Sequence, residues 1–287
     1  MTYETPRALR MALEQRLQSR SIATGVALDR LRRRVIFERV VTRLQVAQPE
    51  VWVLKGGMAL EVRLRDDARL TKDIDLELRD EVADAADLHS RVTDALSLDQ
   101  IGDGFVLTPG LPSRLTEDDQ ETPTWRLSVA ARLAGKPFGG LKLDIAPRTP
   151  GLTATDRVAL PNSLDFAGVS TPIIAIIPVR RHAAEKFHAM LKDFGDRENT
   201  RVRDLVDLVI LIERELLQPS AVAQAVVEVW SERDGVDPPI ELPRLPVGWP
   251  ERYEALAAEH GLGAASFPVA SALVAALWAE MFPIKET

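Results

Sequence analysis

Two carboxylates one residue apart are the side chains of this chain best suited to chemistry. Asp73 and Asp75 lie in the stretch DIDLEL, in which polar and apolar residues alternate. Because side chains of a β-strand point alternately to opposite faces, this alternation predicts a strand with both aspartates on one face, together with Glu77. The opposite face is apolar and consists of Ile74, Leu76 and Leu78. Adjacent carboxylates repel each other unless a positive charge lies between them, so the pair indicates a cation site.

A third carboxylate, Asp144, lies in the stretch LKLDI, whose alternation places it on the polar face of a strand with Lys142. Carboxylate oxygens select a hard cation, which predicts Mg²⁺, or Mn²⁺ in its place, shared with the phosphates of a substrate. Three strand-borne aspartates can hold metal ions about 3.5–4 Å apart for in-line displacement at phosphorus. An Asp-x-Asp pair is also common on the solvated face of a half-exposed strand, and the spacing alone leaves that alternative open.

A pair of glycines precedes the predicted Asp-x-Asp strand. Val51–Leu54 is a short apolar run typical of another strand, and Gly56 and Gly57 end it where the backbone passes close to a neighbour or takes positive φ. Apolar residues behind the glycines predict a helix, and its first N–H groups, on Gly57 and Met58, can face an anion. The pattern indicates a triphosphate site, although a Gly-Gly turn alone is a common feature.

In these motifs the chain resembles the AbiEii/AbiGii toxin family of nucleotidyltransferases, which belongs to the polymerase-beta-like superfamily and includes the MenT-type toxins. The resemblance rests on Lys55–Leu60 and Arg69–Leu76, and it continues in Ala184–Ala189 and Arg203–Leu208. It implies an α+β fold, with a polymerase-beta-like nucleotidyltransferase core of mixed sheet and flanking helices and a helical C-terminal part. It also implies an enzyme that transfers a nucleotidyl group from a nucleoside triphosphate and releases pyrophosphate.

The resemblance assigns roles to individual residues. Asp73 and Asp75 would hold the metal, and Asp144 would join them and polarise or deprotonate the attacking hydroxyl. The residues implied to bind the nucleotide are Lys55, Gly56, Gly57, Met58, Thr71 and Lys186. Thr71 stands where some family members carry a serine that can be modified, but a threonine before a strand is more commonly a local hydrogen-bonding residue.

Two predicted helices downstream carry the remaining candidates. Lys186 lies beside the apolar stripe of Val179–Leu191, so its stem can be buried while its ammonium group reaches the edge of a pocket. In the next helix Asp204 and Asp207 lie three residues apart, beside another apolar stripe. The resemblance implies that Lys186 with Asp204 or Asp207 completes the active site. Without it, a solvated acidic face paired with neighbouring arginines is the preferred interpretation.

The rest of the sequence supplies the elements that must position these residues. Two helices are predicted within residues 6–47, a third over residues 80–96, and helices from Pro178 onward, interrupted by the proline-rich segment Asp237–Pro246. The predicted strands of the middle region are Phe105–Leu107, Trp125–Ala131, Leu141–Ile145 and Ile173–Ile177. We expect a nucleotidyltransferase core with N-terminal helices over residues 1–170 and a mainly helical domain over residues 171–287, with nucleotide and metals between them.

Composition bounds the class of protein. The chain has 287 residues, 46% of them hydrophobic, which is enough for a large core, and its lack of cysteine excludes disulfides, thiolate metal sites and a cysteine nucleophile. It has no apolar run of membrane-spanning length and no secretory signal, so we expect a cytoplasmic protein without a membrane partner. The net charge of -7 argues against indiscriminate nucleic-acid binding, yet residues 1–45 hold ten arginines and only four acidic residues, which predicts a basic face.

The chemistry known for the family makes RNA the implied acceptor, and the tRNA 3′ end the leading one. The protein would act as the toxin of a type IV toxin–antitoxin or phage-defence pair, with an AbiEi-like antitoxin as a partner. Two alternatives stay open on the sequence. One is nucleotidyl transfer to a protein side chain, and the other is an inactive nucleotide-binding or antitoxin-binding module. The presence of Asp73, Asp75 and Asp144 favours an active enzyme over such a module.

Overall fold

The computed structural model describes residues 3–65, 73–99, 102–115, 124–147 and 154–283. Within these ranges the helices are α1 (Pro6–Thr24), α2 (Leu28–Ala47), α3 (Gly56–Leu64), α4 (Ala85–Ser97), α5 (Val179–Leu191), α6 (Val202–Glu213), α7 (Pro219–Asp234), α8 (Pro250–His260) and α9 (Phe267–Met281). The strands are β1 (Trp52–Lys55), β2 (Asp73–Leu78), β3 (Phe105–Pro109), β4 (Ser113–Arg114), β5 (Trp125–Leu133), β6 (Lys136–Pro147), β7 (Asp156–Ala159) and β8 (Ile173–Ile176).

All of these strands belong to one mixed sheet. Its order is β3-β5-β6-β2-β1-β8-β7, and β4 pairs with β5 beside β3. Strand β2 is parallel to β6 and antiparallel to β1, while β1 is parallel to β8. The strand that carries Asp73 and Asp75 therefore lies in the middle of the sheet. A mixed sheet with flanking helices confirms the α+β fold class that the sequence predicted.

The described elements form two compact units. The first comprises α1 to α4 and the sheet, apart from the last residue of α3 and the first of β7, and the second comprises α5 to α9. In the first unit, α2 packs on β6 and on α4, which itself packs on β3. The apolar face of β2, with Ile74 and Leu76, is buried as the alternation predicted. The polar face is thereby left for ligands.

The helix α2 is anchored by charge as well as by apolar contacts. The buried guanidinium group of Arg43 donates hydrogen bonds to the Asp103 carboxylate at 2.8 Å and to the carbonyl oxygens of Leu96 and Phe105, both at 2.6 Å. These bonds satisfy groups at the end of α4 and the start of β3 that would otherwise lose hydrogen-bond partners on burial. They fix the helix to the edge of the sheet.

The predicted elements are confirmed with shifted boundaries. The helix expected from residue 80 begins only at Ala85, because the side chain of Asp84 caps its first turn and accepts hydrogen bonds from the N–H groups of Ala86 and Asp87. Strands β4 and β7 are additions, since two and four residues carry too little alternation to be recognised. Glu77 follows the predicted alternation of β2, but unlike Asp73 and Asp75 its side chain is fully buried.

The second unit is held together by an aromatic cluster. The rings of Phe187 on α5, Trp230 on α7 and Trp278 on α9 contact one another edge to face, with centroids 5.1 Å apart for Phe187 and Trp278 and 6.0 Å apart for the two tryptophans. Such contacts add to the burial of large apolar side chains. The proline-rich segment between α7 and α8 has no regular structure, as predicted. None of the helices within the described ranges has both the length and the apolar character needed to cross a bilayer.

Candidate active site

The Asp-x-Asp pair lies on β2 as the sequence predicted. Asp73 and Asp75 are half-buried and flank the buried Ile74, so both carboxylates belong to the polar face of the sheet. The parallel register with β6 places Asp73 opposite Lys142 and Asp75 opposite Asp144. The third carboxylate expected from the sequence is thus directly beside the second.

The turn between β1 and α3 explains the first glycine. Gly56 has φ of +60°, a conformation that L side chains rarely adopt, and a Cβ placed on it would overlap the carboxylate of Asp75. The register between β1 and β2 pairs Lys55 with Asp75, which brings the turn against that carboxylate. The helix α3 starts at this turn, so Gly57 and Met58 lie in its first residues. The glycine loop and the acidic pair are therefore one structural unit.

A row of charged residues crosses four strands at this level of the sheet. Lys55 on β1 pairs with Asp75 on β2, Asp75 with Asp144 on β6, and Asp144 with Arg126 on β5. We call these four residues the charged row. Its two aspartates lie between two cations, which reduces the repulsion between the carboxylates.

Arg126 is a member of the charged row that the sequence did not predict. Its Nε and Nη2 atoms donate to the two oxygens of Asp144 at 2.7 and 2.6 Å. The hydrogen bond to Asp144 raises the pKa of Arg126, and the charges of Asp144, Asp73 and Asp75 raise it further, against a lowering by burial. Its position, 18 residues from its partner, could have been found only from the β5–β6 register.

Glu77 on β2 pairs with Lys55 on β1, the strand that neighbours β2 on the side away from β6. The Lys55 Nζ atom donates to Glu77 Oε2 at 3.3 Å. Because the Glu77 side chain is fully buried, this contact supplies the opposite charge that a buried carboxylate requires. Lys55, which the resemblance assigned to nucleotide binding, thus lies between Glu77 and Asp75 at the start of the glycine turn.

The donor set of Asp73, Asp75 and Asp144 fits a hard divalent cation, because it offers carboxylate oxygens only. In the described part of the chain, however, no three carboxylate or histidine side chains converge closely enough to hold a metal ion. Both oxygens of Asp144 are bonded to Arg126. A role for Asp144 as a metal ligand therefore stays a prediction.

A cavity of about 710 Å³ opens beside Asp73 in the first unit. The cavity is lined by three residues that are neighbours across the sheet, Asp73 on β2, Lys142 on β6 and Ser128 on β5. Arg33 of α2 lines it as well. Residues at the end of β3, including Thr108, and residues of β5 and β6, including Gly139 and Gly140, form the rest of the described lining. The cavity has the size of a ligand site and combines one carboxylate with two cations.

The candidates of the second unit form a separate buried cluster. The Lys186 Nζ atom lies 2.8 Å from Asp204 Oδ1 and 2.7 Å from Asp207 Oδ2. Burial lowers the pKa of Lys186, but the charges of Asp204 and Asp207 outweigh it, so the pKa is raised and the ammonium stays charged. The structure thus brings together the three residues that the sequence predicted on two helices. The alternative of a solvated acidic face is wrong, since Asp207 is fully buried.

Comparison with known families decides the class of the protein. The profile of the nucleotidyl transferase AbiEii toxin family of type IV toxin–antitoxin systems matches residues 39–280. The chain belongs to this family. It is a nucleotidyltransferase, as the sequence resemblance implied, and nucleoside triphosphates are its class of substrate.

Solved structures agree with the family fold. MenT4, a nucleotidyltransferase toxin from Mycobacterium tuberculosis, is 19% identical, with 95% of this chain and 90% of that chain covered and a TM-score of 0.59. JHP933 from Helicobacter pylori is also 19% identical, with 88% and 94% covered and a TM-score of 0.47. At this identity the match to MenT4 shows a shared fold. Among curated proteins, none matches the sequence significantly.

The residues matched by the AbiEii family include the charged row, Asp73, the glycine turn and the cluster of Lys186, Asp204 and Asp207. Thr71, the candidate for nucleotide binding or modification, lies outside the described residues, as does Lys72. The residues that sequence reasoning missed are Arg126 and the cavity cations Arg33 and Lys142. Lys142 was visible as the polar neighbour of Asp144, whereas Arg33 was one of several arginines on a helix without a distinguishing pattern.

Proposed function

We propose that this AbiEii toxin is a Mg²⁺-dependent enzyme that transfers a nucleotidyl group from a nucleoside triphosphate to the 3′ end of an RNA, with tRNA as the leading acceptor. One observation carries the proposal. The strand with Asp73 and Asp75 lies between the Gly56 turn, on the side of β1, and Asp144 with the cavity, on the side of β6 and β5. Donor and acceptor can thus approach the acidic pair from opposite sides.

The triphosphate is proposed to bind at the start of α3. The N–H groups of Gly57 and Met58 lie in the first turn of this helix, where they lack intrahelical acceptors and the helix dipole favours an anion. Lys55, at the same turn, adds positive charge. Mg²⁺, held by Asp73 and Asp75, would neutralise phosphate charge as pyrophosphate leaves. Mn²⁺ is the substitute that this donor set also accepts.

Asp144 is proposed to act on the acceptor. In the transfer, the acceptor hydroxyl oxygen forms a bond to the α-phosphorus, the bond between this phosphorus and the bridging oxygen to the β-phosphate breaks, and pyrophosphate leaves. The hydroxyl proton passes to the carboxylate of Asp144. Asp144 lies on β6 next to Asp75, which is the position such a base requires.

The cavity beside Asp73 supports RNA as the acceptor. Lys142 and Arg33 can each neutralise one phosphate, while the hydroxyl groups of Ser128 and Thr108 can bond to a ribose or a base. Two cations in a confined cavity suit the end of one strand better than an extended duplex, which needs many phosphate contacts. This explains how a chain with a net charge of -7 can use RNA.

Lys186, Asp204 and Asp207 are proposed to serve the same reaction, because they match the second pair of family motifs. Two aspartates hold Lys186 charged and fixed, which suits an ammonium group that contacts triphosphate. We further infer a cognate antitoxin of the AbiEi type, on the ground that the family belongs to toxin–antitoxin systems.

The test is a labelling assay. Purified protein is incubated with Mg²⁺, total tRNA and each α-³²P-labelled nucleoside triphosphate in turn, alongside Asp73→Asn and the matched control Asp94→Asn, which removes an exposed carboxylate on α4. We expect label on RNA with the natural protein and with Asp94→Asn, and a loss of at least about a thousandfold with Asp73→Asn, because a metal ligand is removed.

The product distinguishes the proposal from its alternatives. Label on RNA that persists in Asp73→Asn would contradict the assignment of β2 as the catalytic strand. Label on protein would replace the RNA acceptor by a protein side chain. Absence of label with every triphosphate and with tRNA would favour a binding module over an enzyme of this substrate class.

A further inference from the structure

Asp144 is held by an arginine at the point where the proposed chemistry needs it to be available. Arg126 donates to both of its oxygens, at 2.7 and 2.6 Å, in the planar bidentate geometry that makes arginine–carboxylate pairs strong and specific. Only 13% of the Asp144 side chain is exposed, compared with 33% of the Arg126 side chain. The carboxylate is thus fixed in the sheet, while the arginine borders solvent.

The surroundings of Arg126 explain why it lies there. In the charged row, Asp144 stands directly between Arg126 and Asp75, and Asp73 is two residues before Asp75 on the same face of β2. Three carboxylates at this spacing repel one another, and Arg126 lies within electrostatic range of all three. A divalent cation would relieve the same repulsion. Arg126 and a divalent cation would therefore reduce the same repulsion between the three carboxylates.

Arginine cannot leave by losing its proton. The guanidinium group stays charged at any pH at which the protein is folded, so the Asp144 carboxylate is freed only when the group moves to another anion. The long, partly exposed side chain of Arg126 permits this movement. Phosphates of a bound triphosphate or of RNA are anions that a guanidinium group binds in the same bidentate manner.

We propose that Arg126 is a positioning residue that occupies Asp144 in place of a divalent cation, so that the metal binds Asp144 only after Arg126 has released it. This inference rests on the proposed function, and it adds Asp144 to Asp73 and Asp75 as a metal ligand, the role that the family resemblance implies for it. Arg126 thus couples metal binding to the arrival of substrate phosphate.

The experiment measures Mn²⁺ binding by titration calorimetry, without nucleotide or RNA. The natural protein is compared with Arg126→Met, Arg126→Lys and a control variant, Arg132→Met. Arg132→Met is the matched control, because it removes one arginine from an exposed position of the same strand, β5, without touching the Asp144 pair. A control at Lys142 would remove a charge directly opposite Asp73. Thermal unfolding of each variant establishes that it is folded.

The release of Asp144 should strengthen metal binding. We expect Arg126→Met to bind Mn²⁺ about tenfold more tightly, since a charge-assisted bidentate pair no longer competes. Arg126→Lys should lie between it and the natural protein, because a lysine keeps the charge but loses the planar geometry. Arg132→Met should change the affinity by about twofold at most, since an exposed charge away from the three aspartates is screened.

A double variant isolates the carboxylate. In the background of Asp144→Asn, Arg126→Met should change Mn²⁺ affinity by no more than about twofold, because the competing pair is already absent. An equal effect of Arg126→Met and Arg132→Met, or weaker Mn²⁺ binding in Arg126→Met, would overturn the proposal. The proposal would also be overturned if Arg126→Met changed Mn²⁺ affinity as much in the Asp144→Asn background as in the natural protein.

Failure of this inference differs from failure of the proposed function. If Mn²⁺ binding depends on Asp73 but is unchanged in Arg126→Met, the competition is contradicted and the catalytic assignment of β2 stands. If Mn²⁺ binding is the same in Asp73→Asn as in the natural protein, the metal site on β2 is contradicted, and the competition with it.

Discussion

Two regions of the molecule place carboxylates close together, and they differ in burial. One is the charged row on the sheet, and the other is the cluster of Lys186, Asp204 and Asp207 on α5 and α6. In the cluster, Lys186 lies within 2.8 Å of both aspartates, and all three side chains are buried. In the sheet, Asp75 of the charged row and its neighbour Asp73 are half-buried, and Arg126 donates to both oxygens of Asp144. The cluster is shielded from solvent and has one lysine for two aspartates, whereas the sheet leaves Asp73 and Asp75 partly in contact with solvent.

This difference indicates how each region responds to mutation. A buried ion pair costs little to keep once formed, but loss of one partner leaves an uncompensated charge in a medium that solvates it poorly. A half-exposed carboxylate next to other carboxylates contributes little to folding, and its loss relieves repulsion. Variants of the cluster should therefore lose stability, and variants of the row should lose activity at nearly constant stability.

Lys186→Met should show the largest loss of stability. It leaves Asp204 and the fully buried Asp207 without their cation, and the expected decrease in the free energy of unfolding is about 3 kcal/mol. Urea unfolding followed by circular dichroism measures it. Asp73→Asn is the comparison from the sheet and should change the same free energy by less than about 0.5 kcal/mol.

A second substitution separates charge from packing in that result. Asp207→Asn added to Lys186→Met removes the fully buried negative charge and should restore part of the lost stability. If Lys186→Met unfolds at the same urea concentration as the natural protein, the cluster is not held by charge. The contrast with the sheet would then be incorrect.

Gly56→Ala should lower both stability and activity, because it acts where the backbone of the turn meets a catalytic carboxylate. The new methyl group would overlap the carboxylate of Asp75, and the φ of +60° is unfavourable for alanine. We expect a loss of about 1–2 kcal/mol in unfolding free energy and at least about a hundredfold loss of nucleotidyl transfer.

The control for Gly56 is a glycine with the same conformation and free space around it. Gly25, at the end of α1, has φ of +71°, and a methyl group added to it would meet no neighbouring atom of the described structure within 4 Å. Gly25→Ala should cost about 1 kcal/mol of stability and leave transfer unchanged. Equal activities of the two alanine variants would show that the collision with Asp75 does not matter.

Much of the site could be predicted because its signals are local. Alternation over six residues placed Asp73 and Asp75 on one face of a strand, and Gly56 preceded a helix as expected. Arg126 and Asp144 could not be paired, since their contact depends on the register of a hairpin, which local sequence does not specify. Glu77 follows the alternation, but the alternation does not show that it is buried. Its charge is tolerated there because Lys55 from the adjacent strand pairs with it.

The helix α2 illustrates the same limit. Its arginines predicted a basic, solvated face, but Arg39 and Arg43 are buried with Asp103. Helical periodicity gives the direction of a side chain, not the identity of the element that covers it. Here the covering elements, α4 and β3, come much later in the chain.

Glu38 on α2 extends the contrast to a carboxylate that is buried without a close cation. It accepts hydrogen bonds from the Ser163 N–H and hydroxyl groups at 2.7 and 2.9 Å, and the Arg39 Nη2 atom lies 4.0 Å away. Burial raises the pKa of Glu38 from 4.5 to about 7, against the lowering by the Ser163 bonds and by Arg39. Unlike the cluster around Lys186, this site favours the protonated form.

The raised pKa of Glu38 determines whether this residue makes the protein more or less stable as the pH rises. Between about pH 4.5 and pH 7 the folded protein binds a proton at Glu38 that the unfolded chain does not, so the contribution to stability is full below this range and is lost as the pH rises through about 7. In Glu38→Gln the amide oxygen can accept from the Ser163 N–H group and the amide nitrogen can donate to the Ser163 hydroxyl oxygen, so both contacts are kept with no charge to bury. At pH 8 the variant should therefore be more stable than the natural protein by on the order of 2 kcal/mol, and at pH 4.5 the two should be nearly equal. Urea unfolding at the two pH values measures this difference, and a variant that is less stable at pH 8 would show that the Glu38 carboxylate is held charged by Arg39, as Asp207 is by Lys186.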